Sequence, residues 1–313
     1  MKKVVSLFIV ISIILTLFAS CTKDSLPKLS VNGTPVDYEV YLYFQDLLKK
    51  SYKDAELDKA VKAEISRYVA INSEFENRNL SLTKSQRAEL STTVNDLWHL
   101  FGNHYNDIGV SKQTIYKIER SKEYEISLLV NYYGVDGVSP VSEEDLMKYF
   151  SDNYCAIRYV VGYLFDVDEN GANVPLSAEN RNKLIETYNS VATMVNESVA
   201  DKPKDDESVE MIDTSLENAV GVLGDSTEIH DALVNSFSDG TFPTGFFEAV
   251  KNIEINKTAT VVIGDYIFLV KKVDAFSNNY RYYDSYRDEC LKKMKGEEFS
   301  KIIDGWAKNY IVK

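Results

Sequence analysis

The sequence predicts an α+β fold in which a helical part precedes a small antiparallel sheet. Apolar residues recur at the spacing of amphipathic helices through most of residues 38–150. The pattern changes at Tyr154, where the stretch YCAIRYVVGYLFD is apolar or aromatic almost throughout and is typical of a strand. Further along, two strand-like segments flank Gly264-Asp265, and so tight a turn requires them to be antiparallel.

The first residues are predicted to form a targeting segment outside the fold. Lys2-Lys3 is followed by an unbroken apolar run, Val4–Phe18, which is shorter than the about 20 residues of a transmembrane helix. Small residues then lead to a cysteine, and polar residues follow it at once. We interpret residues 1–20 as a lipoprotein signal peptide, with Cys21 as the lipid attachment site and residues 21–30 as the anchor and tether. A secretory signal that ends near a cysteine by chance is the alternative. The expected location is the extracytoplasmic face of a bacterial cell membrane.

The net charge argues against nucleic acid as a partner. The chain has 35 Lys and Arg against 48 Asp and Glu, a net charge of −13, and removal of residues 1–20 with their two lysines makes it −15. Phosphate backbones and anionic lipid surfaces repel such a chain. The charge is compatible with a protein that an acyl chain holds at a membrane.

Cysteine and histidine usage gives no sign of a metal site or a disulfide scaffold. Cys155 and Cys290 have no CxxC partner, although a single bridge between them is left open. The histidines are scattered without the spacing of metal ligands: His99, His104 and His230. The sequence has no Gly-rich phosphate loop and no ATP motif, so we expect no cofactor.

The helical part is predicted to span residues 31–153. A short strand and turn precede Asp37, which is expected to cap the first helix, Tyr38–Lys50. Thr83, Ser111 and Ser142 are predicted to cap later helices. These further helices are Leu57–Asn77, Thr83–Gly102, Ser111–Tyr133 and Ser142–Phe150.

The second part, predicted to span residues 154–276, mixes strands and helices. The acidic segment Asp166–Gly171 is predicted to be a plain hairpin or loop, because it lacks the rest of a calcium-loop pattern. Ser226 and His230 are interpreted as the start of a helix and not as part of a catalytic triad, because no nucleophile-elbow context surrounds the serine. The predicted helices are Ser177–Val199, Val209–Val220, Glu228–Phe237 and Phe242–Val250, with a charged break at residues 201–207. The last strands are Thr258–Ile263 and Tyr266–Val273, and a long helix, Arg281–Tyr310, occupies most of residues 277–313.

Three segments in this order resemble one family of proteins. They are Val31-Asn-Gly33 before a helix that opens at Asp37, Val141–Phe150 before a strand, and Phe247-Glu-Ala-Val250 before the two strands that close on Lys272-Val273-Asp274. Together they resemble the PrsA/SurA-type extracytoplasmic foldases. The resemblance implies a SurA-N-like helical chaperone domain over residues 31–153. It further implies a parvulin-like (PpiC-type) prolyl isomerase domain over residues 154–276 and a C-terminal helix that packs on the N-terminal helices.

The same resemblance defines a candidate site that departs from the family pattern. Parvulin-like domains usually carry a histidine in the first strand and another in the last. Here Tyr159 stands in the first position, the last strand offers Phe268 with apolar neighbours, and Lys251 stands where a pocket phenylalanine is usual. None of the three histidines is expected at either strand position. The peptide-binding pocket is expected to consist of Tyr159, Phe246, Phe247, Ile267 and Leu269.

These features favour a membrane-anchored chaperone that holds unfolded or nascent exported polypeptides. Rotation about an X-Pro bond has a barrier of about 18–20 kcal/mol and breaks no bond, so an apolar slot without the histidines does not exclude isomerase catalysis. We nevertheless expect a parvulin-like domain without normal catalysis. An active but divergent isomerase and an adaptor for one dedicated cell-envelope partner are the alternatives, and the sequence leaves the oligomeric state open. Tyrosine clusters, such as the one at residues 280–286, are candidate client contacts, with ordinary packing as the alternative.

Overall fold

The computed structural model describes residues 29–200, 214–224, 227–237 and 240–313. The predicted signal peptide, Cys21, the charged break at residues 201–207 and Ser226 lie outside these ranges. Within them, no helix combines the length and the apolar character needed to cross a bilayer. The chain divides into two compact units, one containing residues up to Pro140 together with Lys295–Lys313, and the other containing Val141–Met294.

The first unit contains a small hairpin, four helices that follow it, and the C-terminal part of the last helix of the chain. The hairpin strands are β1 (Leu29–Val31) and β2 (Thr34–Val36), and they are antiparallel. Asn32 and Gly33 between them both have positive φ angles, of 51° and 84°, which glycine and asparagine tolerate best. The helices are α1 (Tyr38–Leu48), α2 (Asp54–Asn77), α3 (Lys84–Asp107) and α4 (Lys112–Tyr133).

The predicted helix caps of this unit are confirmed by hydrogen bonds. The Asp37 carboxylate accepts from the Glu39 amide at 3.2 Å, and Thr83 forms a reciprocal capping box with Gln86. Glu39 then links α1 to the start of α4, because its carboxylate accepts from the Ser111 amide at 2.9 Å and from the Thr114 hydroxyl at 2.7 Å. The start of α4 is thus fixed both by its own serine and by a carboxylate from another helix.

The second unit is an antiparallel sheet with helices on both faces. Helix α5 (Glu143–Asn153), capped by Ser142 as predicted, leads directly into strand β3 (Tyr154–Tyr163). The short strands β4 (Phe165–Val167) and β5 (Asn173–Pro175) form a hairpin, as expected for the acidic turn. The long helix α6 (Ala178–Ala200) and the short helix α7 (Ser215–Ala219) follow.

The rest of the sheet comes from the C-terminal part of this unit. Strand β6 (His230–Asn235), the short helix α8 (Phe246–Val250) and strands β7 (Thr258–Ile263) and β8 (Tyr266–Lys272) complete it. The strand order is β6-β3-β8-β7, and each neighbouring pair is antiparallel. Helix α9 (Tyr282–Ala307) begins in the second unit and ends in the first.

Two predicted helices of the second unit are wrong in type or extent, and a third lies only partly within the described residues. The segment predicted as a helix over Glu228–Phe237 is strand β6, because its backbone pairs with β3 along the whole of its length. The predicted helix at Phe242 begins only at Phe246, since Gly245 has a left-handed φ of 86° that interrupts it. Of the helix predicted over Val209–Val220, the described part is α7 followed by a single turn of 3-10 helix, Val220–Leu223.

Candidate functional site

One face of the four-stranded sheet is closed by helix α6. Side chains alternate between the two faces of a strand, and Val160 of β3 shares this face with Ile267 and Leu269 of β8 and with Leu164, which directly follows β3. All four are buried in one cluster with residues of α6, α7 and the 3-10 turn after α7: Tyr188, Val191, Ala192, Val195, Leu216 and Val220. This face is a packed hydrophobic core.

The opposite face is covered only in part. The five-residue helix α8 packs Phe246, Phe247 and Val250 against Phe268 and its neighbours on this face. Beyond the reach of α8, Tyr163 is 52% exposed and Tyr266 is 38% exposed. A protein that buries one sheet face and leaves aromatic rings on the other presents a surface that is suited to binding.

The rings on this face form one connected series, which we call the aromatic wall. Its members are His230, Tyr159, Phe242, Phe246, Phe268, Tyr266, Tyr163 and Phe165. The centroids of successive rings in this series lie 4.5–6.1 Å apart. Such distances are those of interacting aromatic pairs. The buried rings Phe246 and Phe268 anchor the wall, while its other members retain access to solvent.

Tyr159 and His230 lie directly opposite each other on β3 and β6. His230 therefore fills neither of the two expected strand positions, on β3 or on β8, but β6 brings it beside Tyr159. The interpretation of His230 as part of a helix start is wrong, because this residue begins strand β6. Burial raises the pKa of the Tyr159 hydroxyl, so this group stays protonated and able to donate at neutral pH. The sequence contains no clear signal for this strand, because only Val234 of His230–Asn235 is buried and six residues are too few to separate a strand from a helix by their period.

The structure brings together three of the five residues expected in the pocket. Tyr159 and Phe246 belong to the aromatic wall, and Phe247 lies beside them in the same hydrophobic cluster. Ile267 and Leu269, by contrast, face α6 and are fully buried, because they alternate with Tyr266 and Phe268 along β8. They are core residues, which corrects their assignment to the pocket.

The Lys251 side chain does not take the place of a pocket phenylalanine. It lies at the end of α8, where its ammonium group is 5.8 Å from the centre of the Phe247 ring and pairs with Glu248. The rings on this side of the wall come instead from Phe242 and Phe246, which are stacked at 4.5 Å. Next to them is a hollow of about 70 Å³, lined in part by Val234, Phe242 and Pro243.

The chemistry of the wall is that of apolar contact. Cys155 and Cys290 are free and buried, and burial raises the pKa of each thiol to about 11, so neither is a reactive thiolate at neutral pH. Among the described residues, no group of three or more His, Cys, Asp or Glu side chains is placed to hold a metal ion. The wall can receive an apolar side chain or a proline ring, with Tyr159 and His230 as its polar members.

The first unit carries a second apolar feature, a cavity of about 300 Å³. It is lined mainly by α1, α2 and α4, and its apolar lining consists of Tyr43, Phe44, Leu47, Tyr68, Ile71 and Ile118. The charged groups at its edge are largely balanced, since Arg67 pairs with Asp304 and Lys122 with Glu119. The cavity is large enough for one bulky apolar side chain.

Comparisons with known proteins give similarities to solved structures alone. No protein-family model matches the sequence, and no curated protein matches it. The foldase PrsA of Streptococcus pneumoniae is similar over 89% of this chain and 91% of its own, with 13% identity and a TM-score of 0.41. PrsA of Lactococcus lactis is similar over 92% of this chain and 95% of its own, with 12% identity and a TM-score of 0.40. A SurA-like chaperone of Campylobacter jejuni covers 91% of this chain and 97% of its own, with 12% identity and a TM-score of 0.28.

This chain resembles PrsA- and SurA-like foldases over most of its length. At these identities and TM-scores we draw no functional conclusion from the similarity, and the function proposed below rests on the residues of this chain.

Proposed function

We propose that the protein is a chaperone or foldase that holds unfolded exported polypeptides outside the cytoplasmic membrane, to which Cys21 anchors it through lipid. The aromatic wall is the observation that carries this proposal. It offers a connected series of rings on a half-covered sheet face, and several of these rings are exposed to solvent. Tyrosine and phenylalanine give large contact areas at a small cost in side-chain entropy, and tyrosine tolerates both water and apolar neighbours.

Holding a polypeptide at this wall requires no covalent step and no nucleotide. An extended client would place apolar or proline side chains against the exposed rings of Tyr163 and Tyr266 and the half-buried ring of Tyr159. Because stacking and apolar contact depend little on sequence, one surface of this kind serves many clients. The cavity of the first unit supplies a further place for a bulky apolar side chain. The lipoprotein signal pattern of residues 1–21 supports the anchor.

A refolding experiment tests the proposal. Residues 22–313 are added to a client whose refolding is limited by X-Pro isomerisation, and the final soluble yield and the rate of the slow phase are both followed. We expect a higher yield. The variant Tyr163→Ser/Tyr266→Ser should lose most of this gain, because loss of a ring at the centre of a binding surface weakens binding by roughly tenfold or more.

Tyr52→Ser is the matched control. Tyr52 is 43% exposed and lies between α1 and α2, away from the aromatic wall in sequence and in a different unit. If Tyr52→Ser lowers the yield as much as the double variant does, the wall is not the holding surface. If the unmodified protein changes neither yield nor rate, the general chaperone function is contradicted and a dedicated partner should be sought.

Prolyl isomerase activity is a second candidate function, and the Tyr159–His230 pair favours it. A hydroxyl and an imidazole on an otherwise apolar wall are able to contact the carbonyl of a twisted X-Pro amide. This activity would appear in the same experiment as a faster slow phase that is lost in Tyr159→Phe/His230→Ala. An unchanged slow phase with a higher yield identifies holding alone.

A further inference from the structure

The two units of the chain differ sharply in net charge. Residues 141–294 contain 28 Asp and Glu against 14 Lys and Arg, a net charge of −14. Residues 29–140 with 295–313 contain 19 Asp and Glu against 17 Lys and Arg, a net charge of −2. Almost all of the excess negative charge therefore belongs to the unit that carries the aromatic wall.

Two acidic residues stand at the exposed end of the wall. Asp166 follows the wall residue Phe165 in the short strand β4, and Asp265 precedes the wall residue Tyr266 in the turn between β7 and β8. The Leu164 amide donates to the backbone carbonyl of Asp265 at 2.8 Å, and this bond holds the turn next to the end of β3. Tyr163 and Tyr266 face each other across the strands at this position.

These carboxylates are exposed, and neither forms an ion pair or a side-chain hydrogen bond with another described residue. The charge at the other end of the wall is compensated. There, Asp231 beside His230 pairs with Arg158 at 2.9 Å, and Arg158 also pairs with Glu217 at 2.6 Å. Uncompensated negative charge is thus concentrated where the rings are most exposed.

From this arrangement we infer that the aromatic wall selects extended polypeptide segments in which lysine or arginine lies next to an aromatic or proline residue. This inference rests on the proposed chaperone function and defines its client class. The apolar side chain packs on Tyr163 and Tyr266, and the cationic side chain lies toward Asp166 and Asp265. The field of the unit raises the association rate of basic segments and repels acidic ones. Cationic side chains gain further because an ammonium or guanidinium group is attracted to the faces of tyrosine rings.

Labelled peptides test the inference directly. Three 12-residue peptides share one aromatic-proline core and carry lysine, glutamine or glutamate on both flanks. Binding to residues 22–313 is measured by fluorescence anisotropy at low and at high salt. We expect the lysine peptide to bind roughly three- to tenfold more tightly than the glutamate peptide at low salt, a range set by two exposed charge pairs. The difference should shrink at high salt because exposed charges are screened.

Two isosteric double variants separate a local effect from net charge. Asp166→Asn/Asp265→Asn should remove most of the preference for lysine over glutamate while leaving the glutamine peptide unaffected. Asp96→Asn/Asp136→Asn removes the same number of charges from exposed positions of the first unit and should preserve the preference. All four substitutions are on the surface, and thermal unfolding checks that each variant is folded.

The possible failures are distinguishable. If none of the three peptides binds, the proposed chaperone function is overturned and this inference with it. If all three bind equally, the wall holds polypeptides but the inferred selectivity is refuted. If both double variants lose the preference for the lysine peptide to the same extent, the preference depends on net charge, and the specific role of Asp166 and Asp265 is refuted.

Discussion

Gly162 lies where helix α6 packs against the closed face of the sheet. It lies in β3 on the side of α6, where a Cβ atom would fall inside contact distance of the Tyr188 hydroxyl and 3.0 Å from the Ile267 Cγ2 atom. Its backbone is ordinary strand, so the need for glycine arises from space and not from conformation. The absence of a side chain at this residue lets α6 lie close to the sheet.

Gly162→Ala should therefore destabilise the protein. Overpacking of a filled core costs about 1–3 kcal/mol, and we expect a lower midpoint of chemical unfolding. Tyr188→Phe removes the hydroxyl that the new methyl group meets, so the double variant should recover part of the loss. Gly221→Ala is the control, because a Cβ atom there meets nothing within 4 Å. A Gly162→Ala variant as stable as the parent would show that α6 does not approach the sheet this closely.

At the scale of elements, the edge of the sheet is protected by a side chain of the neighbouring helix. β7 is an outer strand, and outer strands expose backbone groups that invite pairing with other chains. The Asn196 amide of α6 satisfies both backbone groups of Thr258, since it donates to the carbonyl and accepts from the amide, each at 2.8 Å. One side chain thus acts like a short additional strand at the start of β7.

Asn196→Ala should remove this protection. Leaving two buried backbone groups unpaired costs about 1–3 kcal/mol for each group, so we expect a lower unfolding midpoint and faster aggregation on mild heating. Light scattering during a temperature ramp measures the second effect. Asn189→Ala, at an exposed position of the same helix, should change neither quantity. If both variants behave like the parent, the edge is not guarded by Asn196.

Local signals predicted the elements whose ends are fixed by their own residues. Thr83, Ser111 and Ser142 each cap a helix through their own side chains, and the tight turn at Gly264-Asp265 set the pairing of β7 and β8. Strand β6 was missed because it depends on β3, which is more than seventy residues away in sequence, and a short segment fits both periods.

Only part of the site could be predicted, because the arrangement of its residues also depends on elements that are distant in sequence. Tyr159 was assigned to the site because it stands at the first-strand position where parvulin-like domains usually carry a histidine. Which face each residue of β8 occupies depends on where α6 packs, and for this reason Ile267 and Leu269 were placed in the pocket instead of the core. The position of His230 beside Tyr159 followed only from the pairing of β6 with β3.

At the scale of the whole molecule, the net negative charge bears on how the chain could be held at a membrane. A chain with a net charge of −13 is repelled by anionic lipid, so its net charge provides no electrostatic attraction to such a membrane surface. The apolar part of the sequence that suits membrane attachment is the segment that ends at Cys21. Under the proposed function, the covalent lipid at this cysteine keeps the aromatic wall near polypeptides that emerge from the membrane.

Cys21→Ala should consequently abolish lipid attachment in a bacterial host. The protein with Cys21 should incorporate a labelled fatty acid and partition into the detergent phase, and should remain membrane-bound in high salt because the attachment is not electrostatic. The Cys21→Ala protein should carry no label. Cys155→Ala tests the site of attachment, since Cys155 is buried in the second unit and its replacement should leave labelling intact. Label that persists in Cys21→Ala would contradict the proposal that Cys21 is the lipid attachment site. The refolding experiment is independent of that result, because it uses residues 22–313 without lipid.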